Sequence, residues 1–89
     1  MARIEMSNDG VIEAAAHGAS PDILFQLGLL FSSGRDRDPD LVEAHKWFNL
    51  AALNGNRSAR EYRMEISREM SADDIAAAQR EAREWLQTH

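Results

Sequence analysis

Few residues in this chain have side chains suited to chemistry, and their spacing decides which chemistry is open. The most suggestive run is Asp36-x-Asp38-x-Asp40, which opens like a calcium-binding loop of the EF-hand type. Such a loop needs glycine at its sixth position for a sharp turn and a bidentate glutamate at its twelfth. Leu41 and Trp47 stand there instead, so the aspartates read as helix caps and solvated turn residues. His17, His45 and His89 are too scattered to make a zinc ligand set, and there is no cysteine to supply thiolates or a disulfide. Nucleophilic and phosphate chemistry lack their frames, because no Gly-x-Ser-x-Gly elbow and no glycine-rich loop with lysine occurs. The expectation is a protein that is not an enzyme and has no cofactor.

Charge and length narrow the partners. With 10 Lys and Arg against 15 Asp and Glu, the net charge is −5, which argues against an electrostatic grip on nucleic acid or on an anionic membrane. The 89 residues, 44% of them hydrophobic, make one small domain with a core. No apolar run approaches the length of a signal peptide or a membrane span, which points to a soluble, cytoplasmic protein.

The elements that carry these residues are helical and repeat. Ala14-Ala15-Ala16-His17-Gly18 returns as Ala51-Ala52-Leu53-Asn54-Gly55 after 37 residues, and Ala44 to Trp47 returns as Ala82 to Trp85 after 38. Gly18 and Gly55 each follow good helix formers, where a residue without Cβ ends a helix most readily. Ser20-Pro21-Asp22 opens a helix to about Ser33, Asp38-Pro39 opens one reaching about Asn54, and Ala59, Tyr62 and Ile66 recur at helical spacing. Ser71-Ala72-Asp73-Asp74 resembles a capping box for a last helix to about Gln87, with Ile75, Ala78, Ala82, Trp85 and Leu86 as its apolar stripe. No segment alternates with the period of a strand, so the fold class is all-α.

Leu27-Gly28, Phe31 and Gly34 on one helix, followed by Ala44, Trp47-Phe48, Ala51-Ala52 and Gly55 on the next, resemble the Sel-one-like (suppressor/enhancer-of-lin) repeat, a relative of the tetratricopeptide repeat. One full repeat, residues 19–55, carries the pattern; a partial repeat covers 8–18, and a divergent repeat with a capping helix covers 56–89. In the divergent part Met64 and Glu65 replace the Leu-Gly pair, although Trp85 returns. The resemblance implies a single domain, residues 1–89, built as a short α-solenoid of antiparallel helical hairpins with about five helices. Its structural core would include Leu27, Gly28, Phe31, Ala44, Trp47, Phe48, Ala51, Ala52 and Trp85. Small residues at close helix crossings would receive the aromatic rings.

The resemblance also implies a non-enzymatic scaffold or adaptor that binds a protein or peptide. The helix from Pro21 is apolar nearly all round, and Phe25 and Leu29, four apart, share a face away from the intrarepeat core. That face either packs on neighbouring repeats or lines a groove for a partner segment, with Asp22 and Gln26 as polar contacts beside it. Repeat arrays generally need about three units, so a self-associating homo-oligomer is the alternative. An enzyme is a distant third.

Overall fold

The computed structural model describes residues 20–34 and 38–88, which form the helices α1 (Pro21–Ser33), α2 (Leu41–Leu53), α3 (Arg57–Ser67) and α4 (Ala72–Thr88). The described residues contain no strand, so the all-α expectation holds for them. They hold four helices rather than about five, and the expected partial repeat at 8–18 lies outside the described residues.

Each helix begins at a short polar side chain, because the first amides of a helix have no acceptor within it. Ser20 Oγ accepts from the Ile23 amide at 3.3 Å, with Pro21 following at the first helical position. Asn56 Oδ1 accepts from Ala59 at 2.9 Å, and Ser71 Oγ from Asp74 at 3.1 Å. The start of α2 corrects the sequence reading: Asp40, not Asp38, is the cap, its Oδ1 accepting from the Glu43 amide at 3.0 Å. The reason is a tertiary bond, since the Asp40 amide donates to the Phe31 carbonyl at 2.8 Å and holds residue 40 extended. Pro39 therefore precedes the cap. Gly34 ends α1 with φ 71°, in the left-handed region that a Cβ disfavours.

The pair α1 and α2 is antiparallel. Phe31, near the end of α1, meets Asp40 at the start of α2, while Asp22 at the beginning of α1 accepts a bond from Asn56, just past the end of α2. Midway, Gly28 faces the Phe48 ring so closely that a Cβ at position 28 would overlap it. Leu24, Leu27 and Phe31 of α1 and Ala44, Trp47, Phe48, Leu50 and Ala51 of α2 are all buried there. Ala52 and Trp85, which the sequence reading put in the core, are partly buried and pack against its edge.

The central element is α2, against which α1, α3 and α4 all pack, whereas α3 and α4 barely touch each other. Side chains at the repeat-equivalent positions explain this. Where α1 has Gly28, α3 has exposed Glu65; where α2 has buried Phe48, α4 has exposed Leu86. Without the small site and the large ring, the second helix pair has no equivalent close crossing. Each instead brings a small residue to the core around α2, Ala59 from α3 and Ala82 from α4.

Gly28→Ala sets helix propensity against packing. Alanine gains about 0.8–1.0 kcal/mol of propensity, but overpacking a tight site costs about 1–3 kcal/mol. We expect a lower urea midpoint than the parent's. An equal or higher midpoint would show that Phe48 gives way freely and that the crossing is not tight.

Candidate interaction surface

The site residues expected from the sequence lie on α1, whose capped start and buried Leu24–Leu27–Phe31 edge fix the orientation of the rest. Leu29 and Phe25 are partly buried and pack against the core, while Asp22 and Gln26 are exposed. Phe25 belongs to a three-ring cluster. Its centroid lies 5.7 Å from that of Phe48 and 5.1 Å from that of Tyr62, edge-on to the latter, and Phe48 and Tyr62 are 5.6 Å apart. Such tilted and edge-on pairs let a ring's positive rim meet a neighbour's negative face. Phe25 thus joins α1 to α3 and stays partly buried. The exposed member is Tyr62, at 46%. Beside it a shallow hollow of about 220 Å³ is bordered by Glu61 and Glu65.

The sequence reading did not single out Tyr62 as a surface contact. Its helical spacing with Ala59 and Ile66 marked it as core-facing, and Ala59 and Ile66 are indeed buried. Tyrosine spans both environments, with its ring on Phe25 and Phe48 and its edge in solvent.

Polar side chains inside the molecule are tied down. Trp47 is 1% exposed, and its Nε1 donates to Glu43 Oε2 at 3.1 Å. Lys46 reaches the same carboxylate at 3.4 Å, and its ammonium sits 4.4 Å from the Trp47 ring centroid. On the other side, the Trp85 ring meets Trp47 edge-on at 5.8 Å, joining α4 to α2.

His45, one of three histidines weighed for metal binding, is buried at 3% exposure. Ser67 Oγ donates to the Arg63 carbonyl at 2.8 Å, so its lone pair is left to accept from His45 Nε2 at 3.1 Å. That places a proton on Nε2, and burial disfavours a second one on Nδ1, which finds no hydrogen-bond partner among the described residues. Burial and then the nearby Arg63 guanidinium hold the His45 pKa below its ordinary 6.5. Arg63 itself donates to Asn49 Oδ1 at 2.6 Å, a second polar link between α3 and α2. The described residues contain no group of His, Cys, Asp or Glu able to hold a metal ion. Asp38 and Asp40 are exposed, and Asp36 lies outside the described residues. Among the described residues no helix is long and apolar enough to cross a membrane.

A larger open hollow of about 650 Å³ lies where α2 turns into α3, bordered by Ala52, Gly55, Asn56, Arg57, Arg60, Glu61 and Met64. Gly55, with φ 109°, makes this turn possible, and the Gly55 and Asn56 amides bond to the Ala52 and Ala51 carbonyls at 3.1 and 3.0 Å. No protein-family model, curated protein or solved structure matches this chain.

The buried imidazole makes stability pH-dependent. Below pH 6.5 the unfolded chain takes up a proton at His45 that the folded chain resists, so this contribution is complete above 6.5 and is lost as pH falls through it. His45→Gln keeps an N–H donor without titrating. Between about pH 7.5 and about pH 5.5 the parent's melting temperature should fall more than the variant's. Parallel declines would mean that His45 is protonated as readily in the folded state as in the unfolded one.

Proposed function

We propose that the chain is a non-enzymatic scaffold or adaptor module of the Sel-one-like, tetratricopeptide-related kind, a short solenoid that binds a peptide segment or partner protein on its α1–α3 face. The repeat reading is supported by Phe48 against the bare Gly28 backbone and by Trp47 against Trp85, which hold equivalent positions in successive units. The binding reading is carried by one observation: Tyr62 is held by two ring neighbours yet remains half in solvent. A pre-positioned aromatic loses little entropy on binding, and aromatic residues of this kind are enriched among those that dominate interfaces. Leu29 extends the apolar strip, and Gln26 and Asp22 with Glu61 and Glu65 supply a polar rim. The Asp22 carboxylate already accepts from Asn56 Nδ2 at 3.0 Å, so Gln26 is the more available of the two α1 contacts.

Affinity capture from a cell extract, read by mass spectrometry, tests the face. Tyr62→Ser should remain folded but lose proteins that the parent retains. Gln26→Arg, at an exposed position, should lose the same proteins with an unchanged thermal melt. Identical captured sets for parent and variants would remove this face from the proposal.

Self-association is a second reading, favoured by Leu53, Met64 and Leu86 at 64%, 53% and 48% exposure. Sedimentation velocity over a wide concentration range separates the two. A coefficient rising with concentration supports a homo-oligomer, and a constant one supports a monomeric adaptor.

A further inference from the structure

We propose that the hollow at the α2–α3 turn binds an acidic peptide segment, with its carboxylates held by Arg57 and Arg60 and an apolar side chain lying against Met64 and Ala52. The proposal rests on the interaction-module reading but uses the surface next to the Tyr62 strip, with Glu61 bordering both. It starts from what the arginines of α3 do for the fold. Arg63 bonds to Asn49 and Arg68 pairs with Glu65, so both have partners within the chain. Arg57 and Arg60 are exposed and form no ion pair or side-chain hydrogen bond among the described residues.

Their position makes the absence of a structural role more pointed. The first turn of α3 contains no acidic residue, although the positive end of the helix dipole favours one there. Arg57 opens that turn and Arg60 follows just beyond it, so the two cations bring the helix no benefit and a small cost. Residues kept at a cost to stability are the ones to examine for function.

The surroundings select the ligand. Within a chain of net charge −5, the lining of this hollow holds two guanidiniums against one carboxylate, Glu61, and the Asp22 carboxylate that reaches its Asn56 edge is already engaged by the Asn56 side-chain amide, so the unpaired positive charge is that of Arg57 and Arg60. Guanidinium groups hold planar carboxylates through paired N–H bonds. The floor is not purely ionic, because Ala52 and half-exposed Met64 line it and Leu53, beside Ala52 in the chain, is 64% exposed. Methionine suits a varied apolar contact, since its side chain is flexible and polarizable. A volume of about 650 Å³ takes a few side chains of a segment, and the open mouth lets that segment continue past on both sides. Acidic and apolar residues in one segment are the complement of this lining.

The test is fluorescence anisotropy with the whole chain and a labelled peptide of alternating Leu and Glu, compared with the same peptide carrying Gln for Glu. The expected result is binding of the Glu peptide that weakens with added salt and falls about tenfold or more in Arg57→Gln/Arg60→Gln. That variant's melting temperature should equal or exceed the parent's, because it removes two charges unfavourable to the helix dipole. Arg57→Lys/Arg60→Lys should retain part of the affinity, charge without the fork. Equal binding of the two peptides, no binding of the Glu peptide to the parent, or an undiminished affinity in the Gln variant would each overturn the proposal. Tyr62→Ser should leave peptide binding intact. If it alone abolishes binding, the peptide lies on the α1–α3 face, and the hollow is ruled out while the module reading stands.

Discussion

Phe48 lies against the backbone of α1 because residue 28 has no Cβ, and the placement of that ring determines where the other aromatic side chains go. Phe25 and Tyr62 gather on one side of it, linking α1 to α3. One residue back, Trp47 points to a different face of α2 and meets Trp85 of α4. Adjacent positions on a helix point about 100° apart, so one Phe-Trp pair serves two interfaces. The hydrophobic work of a small domain is concentrated on α2, which has buried faces toward all three neighbours.

Much of this was legible in the sequence where the signal is local. Gly55 as a helix end and Pro21 at a helix start follow from residue type, and the Leu27, Phe31, Ala44 and Phe48 packing positions are those that the repeat resemblance implied. What escaped depends on contacts between distant residues. The start of α2 at Asp40 follows from a bond to Phe31, which no local pattern encodes. Burial of His45 requires Ser67, 22 residues away. Phe25 and Leu29 were read as a face that either packs on neighbouring helices or lines a groove, and Phe25 meets Tyr62 of α3 edge-on, a contact between distant residues that no local pattern encodes.

Polar links and apolar links divide the labour around α2. Toward α1 and α4 the side-chain interface is made of rings, Leu and Ala, with one backbone bond from Asp40 to Phe31. Toward α3 it adds His45 with Ser67 and Asn49 with Arg63. Hydrogen bonds require particular partners at particular angles, whereas apolar contact tolerates sliding. These bonds fix the axial register of α3 on α2, and with it the position of Tyr62.

The near absence of contact between α3 and α4 has a consequence for motion. Two elements whose backbones approach each other so little are coupled more weakly to one another than each is to α2, so either can open locally at less cost to the other. The short turn at 68–71 is itself bonded, with the Glu69 and Met70 amides donating to the Ile66 and Ser67 carbonyls and Met70 packed on the core. The helix on which the other three pack, α2, is then the last to lose its protection.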